Sequence, residues 1–114
     1  MKLMTKRFAL EVIDLFEGLP KDETSRVLGH QLLRAGTSVG ANYRAAKRAK
    51  SKADFISKMG TVEEEADECA YWLELLIEKR KVVPEKAGLR LQESEELVAI
   101  SIASINTARK AGER

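Results

Sequence analysis

The chain has 114 residues, of which 44% are hydrophobic and 33% are charged, and its formal net charge is only +2. This length suits one hydrophobic core but not two, so we expect a single domain over residues 1–114. The near-balance of charge does not by itself indicate a nucleic-acid-binding protein. No apolar run approaches the roughly 18 residues of a membrane span, and residues 1–10 lack the apolar core of a signal peptide. The single cysteine, Cys69, excludes an internal disulfide, so we expect a protein of the reducing cytoplasm.

Four helices are predicted, because apolar residues recur at helical spacing and because the chain has two prolines and few aromatic residues. In chain order, the helices are expected over about residues 5–17, 22–48, 51–80 and 85–110. Asp22 and Ser51 are the expected N-caps of helices 2 and 3, and Pro20 and Pro84 stand in the first and last breaks. The residues expected on the inward side of helix 4 are Leu91, Val98, Ile102 and Ile105.

Helices 2 and 3 carry apolar stripes that repeat at alternating steps of four and three, which is typical of helices that pack along one side. Folding the chain back near Lys50 places Val39 opposite Val62 and Ala35 opposite Ala66. Since all the predicted connections are short, neighbouring helices should be antiparallel. The fold class expected is therefore all-α, an up-down four-helix bundle. The stripe residues are Leu28, Leu32, Ala35, Val39, Asn42, Ala46 and Ala49 on helix 2, and Phe55, Met59, Val62, Ala66, Cys69, Leu73 and Leu76 on helix 3.

Two groups of residues suggest a subunit interface. Gly29, Gly36 and Gly40 share one side of helix 2, where another backbone can approach closely, either from helix 1 or 4 or from a second subunit. On helix 3, three large apolar residues lie away from the apolar stripe or at its edge, and such a cluster is typical of an interface. These residues are Tyr71, Trp72 and Leu75. We expect a homo-oligomer.

Basic residues concentrate where helices 2 and 3 meet. The cluster comprises Arg44, Lys47, Arg48, Lys50 and Lys52, and Arg44, Lys47 and Arg48 share the outward side of helix 2. Such a patch can contact phosphates of RNA or DNA with little sequence preference. The alternative is a solvated tip, or one that pairs with the acidic residues 63–78 of a neighbouring subunit. Stacking of single-stranded bases is weakly supported, because Tyr43 is the one aromatic residue among the basic ones.

Residues suited to catalysis are scarce. His30 is the single histidine, no Glu-x-x-His pair is present, and no glycine-rich phosphate-binding motif follows a strand. Glu64 and Glu68 lie four apart, but a solvated helix face explains them better than a metal site does. We therefore expect neither an enzyme nor a bound metal ion or cofactor.

Residues 31–44, Gln-Leu-Leu-Arg-Ala-Gly-Thr-Ser-Val-Gly-Ala-Asn-Tyr-Arg, resemble the second-helix signature of four-helix-bundle proteins associated with intervening sequences in 23S ribosomal RNA. Residues 51–59, 65–68 and 71–76 extend the resemblance into helix 3, and weaker similarity in helices 1 and 4 carries it over most of the chain. The family usually has an acidic residue just after the signature Asn, where this chain has Ala45.

The resemblance implies an up-down bundle that assembles into a ring, commonly a pentamer, without established catalysis. A more distant similarity is to the accessory protein of diversity-generating retroelements, a pentameric bundle that binds nucleic acid and a reverse transcriptase. That similarity is an analogy at the level of the fold.

Within the signature, Asn42 lies on the helix 2 stripe and Ser38 at its edge, and Glu65 projects toward the same edge from helix 3. We expect a Ser38–Asn42–Glu65 network that fixes the register of the two helices, since buried polar groups need hydrogen-bond partners.

Two functions remain open at this point. One is a nucleic-acid-associated assembly, and the other is an oligomeric scaffold that binds a protein partner.

Overall fold

Four antiparallel helices form the bundle in the computed structural model, which describes residues 1–111. The helices are α1 (Lys2–Glu17), α2 (Glu23–Lys47), α3 (Lys52–Glu78) and α4 (Pro84–Ala111). Each helix packs against the next in the chain, and α1 also touches α4, so the bundle closes into a rod about 54 Å long. The predicted fold class is confirmed. The helix bounds agree with the prediction within a few residues, except that α1 begins three residues earlier.

The predicted N-caps are confirmed at α2 and α3. The Asp22 carboxylate accepts a hydrogen bond from the Ser25 backbone N–H at 2.9 Å. The Ser51 hydroxyl accepts one from Asp54 N–H at 3.0 Å, and the Asp54 carboxylate accepts in return from Lys50 N–H at 3.0 Å. Each cap satisfies backbone donors that the first turn of a helix leaves unpaired.

The end of α3 has no capping glycine, and the sequence marks it only by Pro84 at the break that follows. The N–H of Lys81 donates to the carbonyl of Leu76 and that of Arg80 donates to Ile77, which together form a Schellman motif. The motif requires a left-handed residue after the cap, and Arg80 takes that conformation with a φ of 57°. Glycine usually occupies this position because it has no Cβ to clash.

The predicted packing of α2 against α3 is confirmed. Leu32, Ala35 and Val39 on α2 are fully buried, as are Val62 and Ala66 on α3. The two helices are also joined across their outer side by Arg34 of α2, whose guanidinium donates to the carboxylates of Glu65 (3.3 Å) and Glu68 (2.7 Å) of α3.

Helix α4 faces the core with three of the four predicted residues. Ile105 is buried, and Leu91 and Val98 are partly buried against the core, but Ile102 is 42% exposed. The inward side also includes Ser94 and Ser101, which are fully buried. The two hydroxyls donate to carbonyls of their own helix, at Leu91 and Leu97, so their burial leaves no unpaired polar group. Small side chains at these positions bring the α4 backbone close to the core.

The glycine side of α2 is covered by α1 and by Leu19 just after it in the same chain. A Cβ at Gly36 would lie 2.8 Å from Val12 Cγ1, and a Cβ at Gly29 would lie 2.5 Å from Leu19 Cδ1. Both glycines are buried, so the expectation that they contact a second subunit is wrong, and the intramolecular alternative holds for them. At Gly40 a Cβ would be 3.5 Å from the carbonyl oxygen of Thr5, at the point where the start of α1 meets α2.

Over residues 1–111, no helix is long and apolar enough to cross a membrane.

Candidate nucleic-acid interface

A basic groove runs between the start of α1 and the end of α2. It has a volume of about 700 Å³, and its charged lining residues are all positive. They are Lys2, Lys6, Arg44, Lys47 and Arg48. We call these five residues and the space between them the basic groove. The remaining lining residues are Thr5, Ala9, Thr37, Gly40, Ala41 and Tyr43. A groove of this charge suits a phosphate backbone.

The antiparallel packing of α1 on α2 creates the groove. It places the first turns of α1 beside the last turns of α2, where Gly40 lies against the Thr5 backbone. Arg44 and Lys47 complement the negative end of the α2 dipole, which stabilises that helix. Lys2 and Lys6 lie instead at the positive end of the α1 dipole, and the first turn of α1 has no acidic residue to compensate. Because lysine is unfavourable at the start of a helix, these two lysines suggest a role other than stabilising α1.

The structure divides the predicted basic cluster. Arg44, Lys47 and Arg48 are exposed together in the basic groove, and within residues 1–111 none of them forms an ion pair. Lys52 lies elsewhere, because its ammonium donates to the carbonyl of Arg109 at 3.4 Å, in the last turn of α4. Lys50 is exposed in the turn between α2 and α3.

A second, smaller depression of about 370 Å³ lies on the α3 side of the same end of α2. It is lined by Arg44, Ala45, Arg48 and Lys58. The ammonium of Lys58 is 2.8 Å from the Asp54 carboxylate, which neutralises part of its charge. The two arginines therefore border both depressions, and the greater uncompensated charge is on the α1 side.

The expected Ser38–Asn42–Glu65 network does not form. The Ser38 hydroxyl donates to the carbonyl of Arg34 at 2.7 Å, and the Asn42 amide donates to the carbonyl of Ser38 at 2.9 Å, so both bond within α2. Glu65 accepts instead from Arg34. The Ser38 and Asn42 side chains are short and bond the backbone of their own helix. The longer Arg34 side chain reaches across to α3 instead, and its two ion pairs support the register of the two helices.

The expected interface residues on α3 form an apolar surface. Tyr71 is 54% exposed, its ring centroid is 5.1 Å from that of Trp72, and Leu75 is half-buried beside them. We call Tyr71, Trp72 and Leu75 the aromatic patch. The Trp72 indole nitrogen is buried and has no hydrogen-bond partner within residues 1–111.

The remaining reactive side chains are set apart from the basic groove. Burial, together with the nearby Glu65 and Glu68 carboxylates, raises the pKa of the Cys69 thiol to about 12, so the thiolate is strongly disfavoured. His30 is exposed, with its ring 5.0 Å from that of Phe16. In residues 1–111, no three or more His, Cys, Asp and Glu side chains are grouped as they would be around a metal ion.

Lys2 and Lys6 are the groove residues that sequence reasoning missed. They are separated from Arg44 by about 40 positions, and a dispersed pair of lysines at the start of a helix carries no motif. The one usable signal was the absence of acidic residues from the first turn of α1, where acids are usually favoured.

The comparisons with known proteins agree with this fold. The family model for the 23S rRNA-intervening sequence protein matches residues 3–103. A similar solved structure is a protein of unknown function from the S23 ribosomal protein family of Bacteroides thetaiotaomicron, with 38% sequence identity and a TM-score of 0.85. The match covers 91% of this chain and 96% of that chain. Comparison with curated proteins gives no match. The chain belongs to the 23S rRNA-intervening sequence protein family.

Proposed function

We propose that this protein is a non-catalytic, nucleic-acid-associated protein that holds phosphates in the basic groove. The observation that carries the proposal is the convergence of five basic side chains, from two helices, on one groove without an acidic lining residue. Phosphate contacts of this kind give affinity that falls with salt and carries little sequence information. The family's description, which refers to 23S ribosomal RNA, favours RNA as the first ligand to test.

Assembly is the second part of the proposal. The aromatic patch presents apolar area on an otherwise charged helix pair, and it lies away from the basic groove. We propose that the patch joins copies of this chain into a ring, with a pentamer favoured by the family resemblance. A ring repeats the groove on one rigid body, so several weak phosphate contacts bind together with much higher avidity than one.

A binding assay with matched charge variants tests the proposal. We expect the parent to bind a fluorescent single-stranded RNA or DNA at low salt, and the Arg44→Ala/Lys47→Ala/Arg48→Ala variant to lose that binding while helicity and oligomer mass are unchanged. The control is Lys21→Ala/Lys79→Ala/Lys86→Ala, which removes the same charge at the opposite end of the rod. Equal loss in both variants would indicate a non-specific effect of net charge.

The alternative function is an oligomeric scaffold for a protein partner. It is favoured by the exposed aromatic patch, which would serve a partner protein as well as a second copy. If the parent binds neither RNA nor DNA at low salt, the scaffold is the better account of the protein.

A further inference from the structure

An apolar pocket lies directly beside the basic groove, on the other side of the end of α2. It is an open depression with a volume of about 550 Å³, bordered by Met1, the end of α2, the start of α3 and α4. Its apolar lining residues are Met1, Tyr43, Ala46, Ala49, Phe55 and Ile100, and its polar ones are Lys47, Ser51 and Ser104. The pocket and the basic groove share two lining residues, Tyr43 and Lys47.

We propose that this pocket receives an unpaired base of a single-stranded nucleic acid whose backbone lies in the basic groove. The inference rests on the proposed function and adds to it the strandedness of the ligand. The shared Lys47 would hold a phosphate beside the pocket, whose lining includes two partly buried aromatic residues, Tyr43 and Phe55. Every base has an aromatic face, so stacking on such rings is tolerant of sequence.

The chemistry of the pocket fits a base better than an aliphatic group. The hydroxyls of Ser51 and Ser104 lie among the apolar lining residues and can meet the polar edge of a base. The positive charge at the mouth comes from Lys47, with Arg44, Arg48, Lys2 and Lys6 farther along the groove. An apolar pocket that opens onto positive charge is complementary to a nucleotide, which has a flat ring attached to an anionic backbone.

A duplex cannot use the pocket, because its bases are stacked and paired inside the helix. It can contact only the basic groove through its phosphates. The structure therefore predicts that single strands, or the loops of folded RNA, bind more tightly than a duplex of equal length.

The test fills the pocket and leaves the basic groove intact. Ser104→Phe places a ring in the pocket, and Ala103→Phe adds the same ring at the exposed neighbouring position on α4, which does not line the pocket. The probes are fluorescent oligo(dT) and oligo(rU) and duplexes of the same length. We expect Ser104→Phe to weaken single-strand binding by about tenfold, the size of one stacked base. Duplex binding by Ser104→Phe, and all binding by Ala103→Phe, should match the parent.

A second measurement needs no variant of the protein. Replacing the nucleotides of oligo(dT) by abasic sugars should weaken binding to the parent by about the same factor as filling the pocket. If the parent binds single strands, abasic strands and duplexes equally, the pocket proposal is wrong while the proposed function stands. If the parent binds none of the probes, the proposed function itself fails.

Discussion

At the scale of single residues, the space around a helical glycine decides whether it stabilises or destabilises the fold relative to alanine. Gly36 is in contact distance of Val12 of α1, whereas nothing lies within 4 Å of the position that a Cβ would take at Gly60 of α3. Glycine inside a helix lowers the free energy of unfolding by about 1 kcal/mol relative to alanine. It is an advantage only where a side chain would clash with a neighbouring element. Gly36 meets this condition because α1 packs against it, whereas Gly60 does not.

These two glycines should therefore respond in opposite ways to alanine. We expect Gly60→Ala to raise the free energy of unfolding by about 1 kcal/mol, through helix propensity alone. Gly36→Ala should lower it by about 1 kcal/mol, because Val12 presents three side-chain atoms within 3.1 Å of the new Cβ and rotation cannot relieve the clash. Urea denaturation measures both. In a Val12→Ala background, which removes two of the three close atoms, Gly36→Ala should be less destabilising, and persistence of the full loss there would contradict this explanation.

Arg80 offers a second prediction at this scale. Its φ of 57° is unfavourable for a residue with a Cβ, so Arg80→Gly should raise the free energy of unfolding by about 1 kcal/mol. The matched control is Lys79→Gly, which removes the same charge at a residue with an ordinary φ of −86°. Thermal melting should show stabilisation for Arg80→Gly and none for Lys79→Gly. Equal effects would indicate that charge, and not backbone conformation, is responsible.

At the scale of elements, the stability of the first turn of α2 depends on pH. Hydrogen bonds from the backbone and hydroxyl of Ser25, together with the nearby Lys81 ammonium, lower the pKa of Asp22 from 3.8 to about 2. The folded state therefore favours the carboxylate, and this contribution is complete above about pH 4 and lost as the pH falls toward 2. Protonation removes both the charge-assisted cap and the ion pair with Lys81.

Asp22→Asn tests this contribution, because the amide oxygen keeps a cap acceptor but cannot titrate. Between pH 4 and pH 2, the melting temperature of the variant should fall less than that of the parent. Asp67→Asn, at an exposed position on α3 without an ion pair within residues 1–111, controls for the loss of one acid. If the parent and Asp22→Asn have parallel pH profiles, the cap does not contribute in this way.

The helices themselves could be predicted because their signals are local. The four-three stripes of α2 and α3 and the caps at Asp22 and Ser51 lie within a few residues of each other, and they sufficed for the bounds and the register. The inward side of α4 could be predicted only in part. Hydrophobicity identified Leu91, Val98 and Ile105, but not Ser94 and Ser101, whose hydroxyls are buried because they bond their own backbone.

The candidate site was only partly predictable for a different reason. Arg44, Lys47 and Arg48 are close in sequence, and their shared side of α2 follows from helical spacing. Lys2 joins them only because α1 docks on the glycine side of α2, which depends on steric fit. Phe55 likewise meets Tyr43 only across the turn between α2 and α3.

At the scale of the whole molecule, the rod presents different chemistry on different sides. The basic groove lies at one end, and the aromatic patch lies nearer the other end, where α2 begins and α3 finishes. Separation of the two surfaces allows copies to associate through the aromatic patch while each groove stays open to solvent. This arrangement is what the proposed ring requires.

Light scattering at micromolar concentration tests the assembly. We expect the parent to have about five times the 12.7 kDa mass of one chain. Tyr71→Arg should reduce the mass toward that of a single chain, because a buried interface does not tolerate an unpaired charge. Ile102→Arg, at another exposed apolar residue on α4, should leave the mass unchanged. A parent mass of 12.7 kDa would contradict the assembly proposal.

The central claim is that α1 and α2 together form a phosphate-binding groove, and the salt dependence of binding tests it most directly. Each phosphate contact contributes about 0.7 to 0.9 to the slope of log affinity against log salt concentration. For single-stranded RNA, Lys2→Ala/Lys6→Ala should reduce the slope by about 1.4 per chain engaged. Lys79→Ala/Lys86→Ala, with the same loss of charge at the far end, should leave the slope equal to that of the parent. A slope that does not change when Lys2 and Lys6 are removed would contradict the account.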